Sequence, residues 1–333
     1  MVGRGLATMV AAVVLVVLGS FASQASAATL QSLLPQVSAP SSLTFVPGRP
    51  PVSQTLGHLV VQSNLWNLSP SAHGTVTVQA SQGAVSWAVH LSGLCPLLRG
   101  PRCPAPLDYI NGYPDLAYGQ SPYGGPDTAT DPVLPARWGN GSDDLWLDTA
   151  YSVDTPSTPM DLEYDVWLTP QAANATSQGP RNGIELEVRL DQSFVLGALT
   201  RLRFHAEGAV CLPAVVDGVV RSWCWNVLYG PSDSADMDLV IFIPQRLERQ
   251  AHIAVNLTSI VAYLSTHSQA LHLQGNGCSD ANNCYVDYVE LGTEFAGRIL
   301  DRAQLSWSVT AYCAGELPAG IAAAALVAAV DRC

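Results

Sequence analysis

Apolar and polar residues alternate with a two-residue period over much of the chain. Across 162–168, Leu162, Tyr164, Val166 and Leu168 alternate with Glu163, Asp165 and Trp167. Across 184–190, Ile184, Leu186, Val188 and Leu190 alternate with Glu185, Glu187 and Arg189. Successive side chains on a strand point to opposite faces. Each run therefore buries an aliphatic face and turns carboxylates to the other side. The same period, punctuated by turn residues, predicts strands at 59–66, 75–79, 84–91, 145–153, 160–169, 183–190, 201–206, 219–229, 238–244, 285–294 and 303–312. Strands this dense leave no room for intervening helices, which predicts an all-β sandwich or barrel. One segment departs from the pattern. Leu257, Ile260, Val261 and Leu264 follow the i, i+3, i+4, i+7 spacing of an amphipathic helix over 257–266, packed on the sheets.

The ends of the chain follow other rules. Residues 1–27 have the form of a secretory signal peptide: Arg4, an apolar run through 11–18 and a small-residue ASA-A junction. The protein is accordingly expected outside the cell, with no membrane contact in its mature form. Residues 28–56, rich in Ser, Pro and Gln, read as a linker or arm. Residues 57–313 read as one large domain. The Ala-rich tail at 314–333 is too short to span a bilayer and is expected to form a helix tied back by Cys333.

Eight cysteines suit an oxidising compartment. They fall into sequence neighbours that would each close a short loop: Cys95 with Cys103, Cys211 with Cys224, Cys278 with Cys284, and Cys313 with Cys333. None has zinc-site or redox spacing, so structural disulfides are expected. The net charge of -12 argues against nucleic acid or an anionic membrane as partner. All fifteen basic residues are Arg. No HExxH, Walker loop, GxGxxG or G-x-S-x-G occurs, so neither metal nor cofactor is expected. Asp233 to Asp238 lacks EF-hand spacing and reads as a solvated turn. Asn67, Asn140, Asn174 and Asn256 head N-x-S/T sequons.

A row of carboxylates beside Trp167 suits a sugar-cleaving groove, and it equally suits the solvated face of an antiparallel sheet. The segment between 100 and 140 is rich in Pro, Gly and Tyr and reads as a long loop. Its tyrosines, Tyr113 and Tyr118 among them, could line such a groove or anchor the loop as buried rings.

Further motifs weight the first reading. The segment 291–295, LGTEF, resembles the G-T-E-x-F of glycoside hydrolase family 12. Asn64-Leu65-Trp66 resembles that family's N-L-W. Tyr164-Asp165-Val166-Trp167 resembles its Y-D-hydrophobic-aromatic strand, and 185–190, ELEVRL, resembles its E-L-M-I-W-L. The likeness continues through 225–230, the strand after Met237, the helix at 257–266 and the closing LSWSV at 305–309, in order, over 57–312. It implies a β-jelly roll, concanavalin A-like: two antiparallel sheets with one packed helix and an open cleft for a β-glucan polysaccharide. It also implies retaining cleavage of internal β-1,4-glucosidic bonds. The protein is expected to be a monomer. By position Glu185 matches the nucleophile, Glu294 the acid/base and Asp165 the aspartate that supports the nucleophile. Asn64 and Trp66 match sugar-binding groups, and Trp167 could stack on a glucose face. Two residues depart from the pattern. Glu187 stands where the family has Met and Arg189 where it has Trp; both share Glu185's face, so Glu187 also faces substrate. Cellulose, xyloglucan and mixed-linkage glucan all remain open as substrates. A non-catalytic, lectin-like jelly roll is the competing reading. The pair Glu185 and Glu294 separates them, because a pure binder has no need of two opposed carboxylates.

Overall fold

The computed structural model describes residues 30–34, 41–47, 53–94, 110–123, 133–137, 143–154, 157–174, 177, 179, 182–232, 237–273, 277–278, 284–297 and 300–333. The expected leader at 1–27 and the sequon residue Asn140 lie outside them. So do Cys95 and Cys103, the first of the four cysteine pairs expected from spacing.

Alternation in the sequence becomes a two-layer β-sandwich. The strands are β1 (Gln31–Ser32), β2 (Ser41–Phe45), β3 (Ser53–Leu56), β4 (Leu59–Gln62), β5 (His73–Ser81), β6 (Ala84–Ser92), β7 (Asp115–Gly119), β8 (Ala136–Arg137), β9 (Asp143–Val153), β10 (Asp161–Thr169), β11 (Ile184–Gln192), β12 (His205–Val216), β13 (Val219–Pro231), β14 (Asp238–Pro244), β15 (Gln250–Asn256), β16 (Tyr285–Gly292) and β17 (Arg302–Pro318). The helices are α1 (Phe194–Arg203), α2 (Leu257–Thr266) and α3 (Ala323–Val330). The front layer runs β3-β4-β7-β16-β10-β11-β14-β13. The back layer runs β15-β9-β17-β6-β5-β2. Inward side chains of both layers meet in one core: Tyr164, Val166, Leu186 and Val188 from the front, and Trp87, Val89, Leu305 and Trp307 from the back.

The two layers are joined into one hydrogen-bonded sheet. β12 joins them, because it pairs with β13 along its length and with β15 at Ala214 to Val216. The β11–β14 pairing is parallel, an exception in an otherwise antiparallel sandwich.

Helix α2 forms over the residues that its periodicity marks, capped by Asn256, whose side chain accepts from Ser259 N. Helix α1 takes 201–203 of the strand expected at 201–206, and 205–206 begin β12. Ser193 caps the helix by accepting from Leu196 N, and Arg201 and Arg203 complement the carbonyl end of its dipole. The segment read as a linker also contributes structure: β1, β2 and β3 pair with β17, β5 and β4, and Leu33, Phe45 and Leu56 enter the core. These strands are too short for a period to announce them. The strand expected at 59–66 stops at Gln62, because Asn64 and Asn67 take left-handed backbone angles (φ 34° and 50°).

Among the described residues the disulfides Cys211–Cys224, Cys278–Cys284 and Cys313–Cys333 are formed. These are three of the four pairs that the spacing marks; the bridge expected between Cys95 and Cys103 falls outside the described residues. The Cys313–Cys333 bridge ties the chain end to β17, so that Leu326, Ala329 and Val330 of α3 pack on Trp146, Val215 and Leu317. Cys333→Ser frees a 20-residue segment. Its expected cost is roughly 2–4 kcal/mol, read as a lower denaturant midpoint. An unchanged midpoint would show that the bridge contributes nothing to the fold.

Candidate active site

The outward face of the front layer carries the carboxylates. β10 supplies Glu163, Asp165 and Trp167; across it β11 places Arg189, Glu187 and Glu185, and β16 places Gly292, Glu290 and Tyr288. The cleft over this face has a volume of about 640 Å³. Gln62, Asn64, Trp66, Tyr113, Tyr123, Glu294 and Leu239 complete its lining, with Thr200, Arg203 and Phe204 of the α1 segment.

Glu294 lies past the end of β16, and backbone pairing rather than strand register holds it. Asp161 N donates to Glu294 O, and Glu294 N donates to Asp161 Oδ1, both at 3.1 Å. Gly292 makes room just before it. A Cβ there would lie 2.8 Å from the Tyr113 ring, so only glycine lets that ring pass beneath and its hydroxyl donate to the carbonyls of Glu163 (3.2 Å) and Glu290 (3.0 Å).

Glu185 is half-buried, and the Ser232 hydroxyl donates to its Oε2. Glu187 differs in kind. Its Oε2 sits 2.7 Å from Arg189 Nη2 and 3.2 Å from Nε. Arg189 is 2% exposed and also meets Glu163 at 3.0 Å, Asp161 at 3.2 Å and Glu294 at 3.7 Å. Its Nη1 donates to Thr200 on α1 at 3.0 Å. One buried guanidinium thus serves four carboxylates. Asp161, Glu163 and Glu294 bring oxygens within 4.8 Å of one another, as a metal site would. Arg189 already supplies the positive charge there. The other cluster, Asp148 with Cys313 and Cys333, offers no thiolates because the cysteines are bridged.

Burial sets the acid–base character of the cleft. It raises Glu294 well above the ordinary glutamate range; Glu187 and Asp161 push the same way and Arg189 opposes. A fifth of the Glu294 side chain remains accessible, enough to meet a substrate. Asp165 is raised by burial and next by the charge of Glu185, and Glu163 by burial and by Asp161 and Glu187. Burial lifts Glu290 to about 7 against the opposing hydrogen bond from Trp167 Nε1 (3.0 Å).

These shifts predict how stability follows pH. In the folded chain Glu290 and Asp161 titrate at about 7, and Asp191 and Asp287 at about 6. Unfolded carboxylates titrate near pH 4. Their folded pKa values are raised, so the folded chain binds more protons between roughly pH 4 and 7. Their contribution to stability is full below that window and is lost as pH rises through about 6–7. Thermal unfolding is expected several degrees higher at pH 5 than at pH 8. A higher midpoint at pH 8 would contradict the shifts.

The sequence-marked residues Asn64, Trp66, Tyr113, Asp165, Trp167, Glu185, Glu187 and Glu294 all line the cleft. Tyr118 does not. It belongs to β7, where every residue is buried, and its ring is part of the core. The region read as a long loop hides that strand, and the face of Tyr118 is not readable without the register. Tyr123, half exposed and edge-on to Trp167 at 5.5 Å, carries no local signal that singles it out. Neither do Gln62 and Ser232. For Arg203 and Phe204 the available signal is the Ser193 cap and the paired arginines of α1.

The fold of this two-layer β-sandwich is shared with solved family 12 glycoside hydrolases. A family 12 xyloglucanase from Bacillus licheniformis superposes with a TM-score of 0.55 over 83% of this chain and 100% of its own, at 15% identity. Endoglucanase 3 from Trichoderma harzianum, of family GH12, gives 0.53 over 83% and 98%, also at 15% identity. An endoglucanase from Rhodothermus marinus gives 0.52 over 83% and 100%, at 12% identity. No protein-family model and no curated protein sequence matches the chain.

Proposed function

We propose that this chain is a secreted, monomeric glycoside hydrolase that cleaves β-1,4-glucosidic bonds with retention of configuration. The carrying observation is that Glu185 of β11 and Glu294, just past the end of β16, face one cleft. Glu185 attacks the anomeric carbon as its bond to the leaving oxygen breaks, and Glu294 gives that oxygen its proton. Glu294 then takes a proton from water, which displaces Glu185 from the same carbon. The raised Glu294 pKa keeps its proton available, and Asp165, raised by burial and by Glu185, is placed to stand protonated beside the nucleophile. The xyloglucanase and endoglucanases that share the fold support a β-glucan substrate. The disulfides and the form of residues 1–27 support secretion. Among the described residues no helix is long and apolar enough to cross a membrane.

Proton NMR of the first products is expected to show the β-anomer before mutarotation, and early α-anomer would exclude retention. Reducing-sugar release from carboxymethyl cellulose, mixed-linkage glucan, xyloglucan and xylan identifies the substrate. Binding without release from any of them would favour the lectin-like reading. Whether the cleaved bonds are internal, as the resemblance implies, depends on the ends of the cleft.

A further inference from the structure

The outward face of the front layer continues past β11 onto β14 and β13, where it changes character. Leu239 and Ile241 are the register partners of Glu185 and Glu187, so they share the cleft face. Ile243 follows on the same face, and Leu228 and Gly230 of β13 stand opposite Ile241 and Leu239. A chain of sugars crossing the strands would run over these positions. Yet Leu228, Ile241 and Ile243 are at most 2% exposed, and they form an apolar cluster with Leu239 against which Phe204 packs. The Phe204 ring lies on Gly230, 2.6 Å from where a Cβ would be. Helix α1, immediately before it, is anchored further along the cleft and delivers Phe204 to this side. Thr200 bonds to Arg189, and Leu196 packs with Ile110 and Ala296 beside Trp66. Of the β14 and β13 residues on this face only Leu239 reaches the cleft lining; beyond it the lining is Thr200, Arg203 and Phe204.

We propose that Phe204, held at the end of α1, closes the cleft at its β14 side, so that the enzyme cuts at a fixed short distance from a chain end. Glu185 stands one strand from the closed end, about 4.8 Å at the usual strand spacing. That leaves little room for sugars on this side. On the other side the cleft continues over β10, β16, β7 and β4, past Trp167, Tyr288 and Gln62 toward Asn64. Phe204 is a specificity-determining residue: it limits how far the glucan extends, not how the bond breaks.

This inference rests on the hydrolase reading and deepens it. The test is a ladder of β-1,4-gluco-oligosaccharides of increasing length, labelled with oxygen-18 at the reducing end and analysed by mass spectrometry. With the wild-type chain the cut is expected to stay the same number of units from one end as the oligosaccharide lengthens. On soluble polymer, viscosity should fall slowly relative to reducing-end release. Phe204→Ala, checked for an intact fold by its unfolding midpoint, is expected to move the cut further from that end and to steepen the viscosity loss. A wild-type cut that moves toward the middle as the chain lengthens, with viscosity collapsing early, overturns the closed end while leaving the hydrolase intact. Absence of cleavage of any β-glucan overturns the hydrolase reading itself, and this inference with it.

Discussion

Glu185→Gln is expected to lose turnover by at least ~10⁴-fold, while Glu187→Gln stays within about tenfold of wild type. The two glutamates share a strand face and the sequence admits either as nucleophile. Their surroundings separate them. Glu187 is 6% exposed and its Oε2 is bonded twice by Arg189, so its electron pairs are engaged by a fixed cation. Glu185 is the more accessible, oriented by the Ser232 hydroxyl, and its charge is the strongest electrostatic influence on Asp165. Amide replacement preserves shape and the Ser232 contact while removing the attacking oxygen. Azide is expected to restore part of the activity of Glu185→Ala and to yield the α-glycosyl azide. A dead Glu187→Gln beside an active Glu185→Gln would reverse the assignment.

Glu187→Gln carries a second readout. The Glu187 charge raises Glu294. Removing it favours ionised Glu294, as does the Arg189 guanidinium that it releases. The alkaline limb of kcat/KM, where the acid loses its proton, should therefore move to lower pH. A limb that moves up or stays would show that Glu187 does not act on the acid.

Glu294→Gln is expected to slow hydrolysis of natural glucan by about 10²–10⁴-fold. With an aryl glycoside whose phenol leaves unaided, the first step needs no proton, so the loss should shrink and the alkaline limb should disappear. The clamp to Asp161 uses the Glu294 backbone, so Gln keeps it. The variant therefore probes the proton and not the fold. Equal losses on both substrates, with the pH profile unchanged, would remove Glu294 from the acid role.

Much of this was legible in the chain itself. Strict alternation in β10 and β11 marked their buried and cleft faces, because a two-residue period admits one answer once one side is apolar. The period of 257–266 marked α2, and cysteine spacing marked the three bridges that the described residues form. Glu185, Asp165 and Glu294 could be marked because carboxylates on strand faces and a G-T-E turn are local patterns. The rest depended on contacts distant in sequence. Whether Tyr118 faces cleft or core turned on the pairing of β7 with β16, which no local pattern encodes. Short β1–β3 gain their strand form from partners elsewhere in the chain. Arg189 reads as an ordinary charge in a strand. Only folding brings Asp161, Glu163, Glu187 and Glu294 around it and buries it. Helix α1 has Gly197 near its middle, which lowers its helix propensity, so its propensity alone does not declare it. Apolar burial seats Phe204 on β13 and β14 while the Thr200–Arg189 bond holds α1 beside the cleft, and that tertiary placement determines where the cleft ends.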